Sequence, residues 1–433
     1  MDYIIVGGGI SGLYCAYILH KKHDIKNIIV LEKNNRLGGR IDTMYVNDIP
    51  MEMGAARVVD LQKNIMALLE ELDLIDKLGK GSNDKSLVVT STIPTSNYGN
   101  KYSEIIPTIY QITDIVDIKK TDFYDILDTL TRRLDDDEFY QTALTYNLYA
   151  LIEKFYGFEK ADQLVYQFGY HSNFYDQNSI EALGMFAKEF SKNAKYHGIN
   201  GGMIQIINKL SEYLTKNNIN IELNSECIDI DKQNGQYVCL INNNRKMIGK
   251  NIVFAIPKIN LLKICFFENI FTKLNSVFHK PLIKIYVFFP LVDGKVWFDK
   301  INSTLTTRTI MNQIIPYNKE KGILLMYCDN INAETWYYFE KRNILERELM
   351  YHLTKLFSDQ IIPDPIKIYT CYHDSASHVW KPHINPKQMY EDIVKPYNNE
   401  NIYIVGEAYS LNQQWSEGAI QSVNHLMDKI FGY

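Results

Sequence analysis

The first chemistry legible in the chain is phosphate binding. Gly7, Gly9 and Gly12 stand at G-x-G-x-x-G spacing. The first glycine permits a tight turn, the second lets backbone N–H groups approach a pyrophosphate, and the third lets helix pack on strand. The phosphates then sit at the positive end of a helix dipole. Glu32 follows about 20 residues after Gly12, where a carboxylate accepts hydrogen bonds from ribose hydroxyls and repels a 2′-phosphate. Arg36 and Arg40 flank a second glycine pair, Gly38-Gly39. Guanidinium groups there suit bidentate contact with phosphate oxygens. Lys284 is a different kind of candidate, the one charge in Pro281-Leu-Ile-Lys284-Ile-Tyr-Val-Phe-Phe289. An ammonium in so apolar a strand costs several kcal/mol unless it is paired or used. The competing reading is an edge-strand lysine reaching solvent.

These residues need elements to hold them. Asp2–Val6 reads as a strand, Ile10–His20 as a helix, and Asn27–Leu31 as a second strand ending in Glu32. Asp60 is placed to cap a helix running to about Leu78, with Ile65, Leu68, Leu69, Leu72 and Ile75 on one face. Residues 79–107 read as loop and short strands, and 108–198 as mostly helical. The acids Asp135–Glu138 suit a helix start better than a metal site. Gly201-Gly202-Met203 leads into a helix to about Leu214, and strands are expected at Ile219–Leu223, Glu226–Asp231, Tyr237–Ile241 and Asn251–Pro257. Gly322–Cys328 and Ile366–Tyr372 read as strands with one amphipathic helix, Arg342–Phe357, between them. Asn401–Val405 is the last strand, closed by Gly406-Glu407, and Trp415-Ser-Glu-Gly418-Ala419-Ile420 opens the final helix.

At 433 residues the chain suggests two or three domains. Its net charge of −5 argues against a nucleic-acid binder held by bulk electrostatics. The six cysteines form no C-x-x-C pair and read as buried thiols of a reducing compartment, neither a disulfide framework nor a zinc site. No apolar run reaches the roughly 20 residues needed to cross a bilayer. The glycine motif begins so early that no leader is expected, and the location expected is cytoplasmic.

The glycine motif, Glu32, Arg36-x-Gly-Gly-Arg40 and Glu52-x-Gly54-Ala55-Ala-Arg57 together resemble the flavin amine oxidase superfamily, which includes monoamine, polyamine and L-amino-acid oxidases. Gly-Gly-Met203 and Gly406-Glu407 agree with it. The resemblance implies an α/β (α+β) fold, a Rossmann-like FAD-binding domain interleaved with a substrate domain of mixed sheet plus helices. The FAD-binding parts would be 1–60, 200–270 and 395–433, and the substrate-binding parts 61–199 and 271–394. It places Gly7, Gly9, Gly12, Glu32, Arg36, Gly39, Arg40, Gly54, Ala55, Cys227, Gly406, Glu407, Ala419 and Ile420 at the cofactor. The cysteine that some members use to bind flavin covalently is missing, so FAD is expected to be non-covalent.

The same resemblance assigns three residues to the chemistry. Lys284 matches a strand lysine that holds a water against flavin N5. Trp415 aligns with an aromatic residue facing the flavin. Arg57 matches the arginine that binds the substrate carboxylate in L-amino-acid oxidases, and such pairing fixes orientation as well as charge. Its competing reading is pairing with Glu52 or a phosphate. A second pocket aromatic is replaced by Ala376 in a loose alignment, while His378 and Trp380 read better as a satisfied histidine and a core tryptophan. The expected activity is oxidative deamination of an L-amino acid to oxo acid, ammonia and hydrogen peroxide, with a small-molecule amine or amino acid and molecular oxygen as partners. No nucleic acid, membrane or metal is expected, and a homodimer is left open. The alternatives are a polyamine or monoamine oxidase, and an FAD-binding desaturase, isomerase or non-catalytic scaffold.

Overall fold

The computed structural model describes residues 1–81, 86–91, 112–358 and 360–432. The chain divides into two compact units, Met1–Asn83, Lys188–His279 and Ser375–Tyr433 in the first, Asp84–Ala187 and Lys280–Asp374 in the second.

The first unit is built on a five-stranded parallel sheet in the order Ile402–Ile404, Asn251–Phe254, Tyr3–Val6, Ile28–Leu31, Asn220–Glu222. Its strands read as unbroken apolar runs because both faces are covered. Tyr3, Ile5, Ile28, Val30 and Val253 point to one core with the helices Ile10–His23, Ile204–Lys216 and Ser416–Phe431. Ile4, Val6, Ile29, Leu31, Ile252 and Phe254 point to the other. There they meet Cys227, Ile230, Tyr237 and Cys239 of a three-stranded antiparallel sheet, Cys227–Gln233, Gln236–Ile241, Arg245–Gly249. Period-two side-chain alternation thus sends neighbouring residues of one strand into different cores.

Most of a seven-stranded sheet belongs to the second unit, in the order Lys367–Trp380, Val277–Phe288, Ile323–Asp329, Gln313–Asn318, Thr304–Thr306, Ser86–Ser91, Ile112–Asp117. Helices Phe123–Arg132, Asp137–Thr145, Leu148–Tyr156, Phe158–Phe168 and Ser179–Ala187 account for most of its other half. Asp136 caps the second of these by accepting from Phe139 N at 2.7 Å.

Three local expectations differ from the structure. The helix assigned to Asp60 spans only Lys63–Glu71, and Asp60 accepts instead from Lys195 N at 3.1 Å. Its first turn is capped from afar by Glu417, which accepts from Asn64 N at 3.1 Å and Ile65 N at 2.8 Å. The single helix expected at Arg342–Phe357 is the second of a pair, Asn330–Lys341 and Leu345–Leu356, which pack through Trp336, Leu349 and Leu353. Thiol burial is uneven, since Cys265 is exposed while Cys15, Cys227, Cys239 and Cys328 are buried. The loop expected over 79–107 falls largely outside the described residues.

Candidate functional site

The glycine loop leaves the carboxyl end of the central strand, where ligands of open parallel sheets bind. Gly7, at φ +115°, packs so tightly that an added Cβ would stand 2.5 Å from Ala255 O, and one on Gly12 would stand 1.9 Å from Gly7 O. Gly9 and Gly39 are different. A Cβ on Gly9 meets nothing nearer than Gly38 O at 3.9 Å, and one on Gly39 nothing nearer than Gly9 Cα at 3.8 Å. Gly38 N donates to Gly8 O at 2.9 Å, so the two glycine loops form one surface. The helix beginning at Ile10 has no side-chain cap. Bare backbone and an uncapped helix start are what a pyrophosphate needs.

Glu32 is buried at the strand end and tied to that surface. It accepts from Gly8 N at 2.8 Å through one oxygen, and from Asn34 N and Nδ2 at 2.9 and 2.8 Å through the other. Its remaining lone pairs can accept from ribose hydroxyls.

Arg40 does not stand alone beside the second loop. Its Nη1 donates to Glu407 Oε2 at 2.6 Å and to Ala376 O at 2.9 Å. Glu407 is buried and also accepts from His378 N, His378 Nδ1 and Gln414 N at 2.8–2.9 Å. Burial works to raise the Glu407 pKa, but Arg40 and His378 outweigh it and hold the carboxyl well below its usual range. Burial pushes His378 below its ordinary value against the pull of Glu407. A neutral His378 then donates from Nδ1 to Glu407 and accepts from Ser375 Oγ at 3.2 Å through Nε2. Arg36 turns toward Asp42 at 3.1 Å and the carbonyls of Leu37 and Gly39. Gly54 lies where a Cβ would be 1.8 Å from Arg40 O, and Ala55 N donates to that oxygen at 2.9 Å. Gly406, at φ +133°, faces open space apart from Ser11 Oγ. Ala419 and Ile420 are buried in the final helix. Cys227 is buried against Cys239.

Arg57 and Trp415 come together through a residue the sequence did not single out. The two-stranded ladder Val58–Val59 with Tyr196–His197 sets Tyr196 beside Arg57, whose Cζ lies 4.7 Å from the ring centroid. Trp415 also lies against Tyr196, 6.4 Å between centroids at 24°, and 5.6 Å from Phe190. Its indole Nε1 is buried without a hydrogen-bond partner among the described residues. Tyr196 Oη donates to Glu189 O at 2.7 Å, and burial raises the Glu189 carboxyl to about 7. Trp380 is a core tryptophan whose Nε1 donates to Ser410 O at 3.0 Å.

Lys284 belongs to the second unit. Its strand has neighbours on both sides, so the edge-strand reading does not apply. Lys284 is 2% exposed. It stands directly opposite Tyr327, with Nζ 5.2 Å from that ring's centroid. Tyr170 meets Tyr327 edge-on at 5.4 Å. Neither tyrosine carries a local sequence signal, because each is identified only by its partner across the fold.

A glycine-lined cradle on a doubly covered parallel sheet, with an acid at the second strand end, defines a dinucleotide-binding α/β oxidoreductase. The chain belongs to the flavin containing amine oxidoreductase family, whose sequence profile matches residues 10–423. It is similar to an uncharacterized protein of Acanthamoeba polyphaga mimivirus, 24% identical over 488 residues, covering 100% of this chain and 94% of that protein. A 77-residue stretch is 42% identical to coproporphyrinogen III oxidase of Mycobacterium tuberculosis, 18% of this chain and 17% of that enzyme. A putrescine oxidase structure superposes over 100% of this chain and 99% of that one, with TM-score 0.73 and 15% identity. The protein is an FAD-dependent oxidoreductase. The open faces of Gly9, Gly39 and Gly406 and the ribose-competent Glu32 fit that cofactor. No described helix is long and apolar enough to cross a membrane.

Proposed function

We propose that the protein oxidatively deaminates an L-amino acid, yielding an oxo acid, ammonia and hydrogen peroxide. The observation that carries the reading is Arg57 stacked on Tyr196 beside Trp415. A guanidinium set against an aromatic ring can meet a substrate carboxylate in the bidentate geometry arginine favours. The orphan indole N–H of Trp415 supplies a further donor for a bound group.

In this reading FAD, held by the two glycine loops and Glu32, would supply the acceptor for two electrons from the substrate. Arg57 fixes the carboxylate, and the rings of Tyr196 and Trp415 wall the site against water. The neutral amine loses its α-hydrogen as hydride, and the resulting imine is hydrolysed by water. Lys284 orders a water and lends its charge to the reaction with oxygen, the role the family resemblance gives it. The loops of Gly7–Gly12 and Gly38–Gly39 hold the pyrophosphate, and Glu32 holds the ribose.

Two other substrate classes suit the family equally, and the names of similar proteins include a putrescine oxidase and a coproporphyrinogen III oxidase. Anaerobic addition of amino acids, polyamines and porphyrinogens, followed by flavin absorbance, tests the choice. Bleaching by amino acids alone is expected. Bleaching confined to polyamines overturns the carboxylate role of Arg57, and bleaching confined to porphyrinogens overturns the amino-acid assignment.

A further inference from the structure

Cys227 and Cys239 lie on adjacent antiparallel strands of the three-stranded sheet. Cys227 pairs with Ile241, two residues from Cys239, so both thiols fall on one face of the hairpin. A register shift between Cys227 and Asp229 brings them closer, and the sulfurs stand 2.9 Å apart. Both are buried in the core beneath Ile4, Val6, Ile29 and Leu31. This spacing discriminates between two uses of a dithiol. Two thiolates on one tetrahedral metal ion stand roughly 3.8 Å apart, given metal–sulfur bonds of about 2.3 Å. A disulfide brings them to about 2.05 Å. The pair is too close for the metal, and no third metal-binding side chain joins it among the described residues.

We propose that Cys227 and Cys239 are a modification site, an intrachain disulfide formed in the folded protein by a hydroperoxide oxidant. One thiolate attacks the peroxide O–O bond, giving a sulfenic acid and water. The second sulfur displaces the sulfenic oxygen as a second water, and the S–S bond forms. Two electrons pass from the sulfurs to one hydrogen peroxide. Cys227 is the more accessible of the two, at 8% against 0%, and is the entry point for the oxidant. Its partner thiol and burial both raise its pKa, so the thiolate is scarce and the bond accumulates slowly. The crosslink would pin the hairpin that begins at Cys227, two residues after Ser225, whose N–H donates to Glu32 O at 2.8 Å. It therefore acts next to the ribose end of the cradle.

The test uses folded holoprotein and added hydrogen peroxide, so it does not depend on the proposed substrate. After quenching, the protein is unfolded in alkylating agent and mapped by mass spectrometry. The expected product is a Cys227–Cys239 linked peptide, about 2 Da lighter than the two thiol peptides together. It should disappear on treatment with dithiothreitol. Exposed Cys265 reports in the same sample that the oxidant acted. Modified Cys265 with both Cys227 and Cys239 still alkylated overturns the proposal. A linked peptide that forms only when urea is present during oxidation overturns it equally. The oxidised protein should also show a higher Tm that dithiothreitol reverses, and Cys239→Ala should lack this shift. A shift retained in that variant counts against the pair.

Discussion

The guanidinium of Arg57 lies over the ring of Tyr196, with Cζ 4.7 Å from its centroid. The contact joins residues separated by more than a hundred positions through a ladder of only two residues per strand. Cation–π stacking of this kind is worth on the order of 1 kcal/mol. Its larger effect is geometric, because it restricts where the guanidinium can sit.

Arg57→Ala should therefore raise KM for amino-acid substrates by about 10- to 100-fold, from loss of a charge-assisted contact of roughly 1.5–3 kcal/mol. Simple amines should be little affected. Tyr196→Leu should raise the same KM by about fivefold, in line with loss of the stacking alone. Steady-state kinetics with paired amino-acid and decarboxylated substrates measure both, and an equal loss for the two series contradicts the assignment.

Lys284→Met should slow reoxidation of the reduced protein by about tenfold or more, a barrier increase of roughly 1.4 kcal/mol, while FAD stays bound. Stopped-flow mixing of photoreduced protein with oxygenated buffer reads this rate without any substrate. Unchanged reoxidation removes Lys284 from the oxygen step.

Gly9→Ala separates folding from cofactor binding. The added methyl meets nothing in the protein nearer than 3.9 Å, so the chain should fold with an unaltered circular dichroism spectrum. It should nevertheless lose yellow colour, because the methyl occupies the face the pyrophosphate needs. Gly12→Ala should fail earlier, since its methyl would lie 1.9 Å from Gly7 O. Full flavin content in Gly9→Ala would place the phosphates elsewhere.

Acid stability should depend on Glu407 and His378. Both have folded pKa values below their unfolded ones, so the unfolded chain binds more protons and stability falls on acidification. The loss should begin below about pH 6.5 through His378 and steepen below about pH 4.3 through Glu407. Glu189 acts oppositely. Its carboxyl is raised to about 7, so its contribution is complete below about pH 4.3 and lost as pH rises through 7. Thermal unfolding across pH should show a flatter acid limb in Glu407→Gln. That variant should also lose roughly 1–3 kcal/mol, because it strands buried His378 and weakens the pairing of half-buried Arg40.

Glu417→Ala should lower stability by about 1 kcal/mol, the cost of losing a helix cap. Asp60→Ala should cost less, since Asp60 does not cap the helix that begins at Lys63. Comparing the two Tm values decides which carboxylate holds that helix start.

Much of the first unit could be read directly from the chain. The parallel strands announce themselves as short apolar runs, because each is buried on both faces. The glycine loop is legible because only glycine tolerates Gly7's backbone and the close approach at Gly12. Glu32 is legible from its fixed offset. These are local rules, in which the cause lies within a few residues of the effect.

Tertiary structure decided the rest. Asp60 and Glu417 are both competent caps, and only the arrival of the final helix settles which one meets Asn64 and Ile65. Arg40 reads locally only as a phosphate ligand, and its contacts with Glu407 and Ala376 come from more than 300 residues away. Lys284 could have been an edge residue, and it is central only because strands on both sides cover it. Tyr196, Tyr327 and the Cys227–Cys239 pair carry no local pattern. Their meaning is a distance between chain segments, and such distances are set by how cores pack rather than by neighbours in sequence.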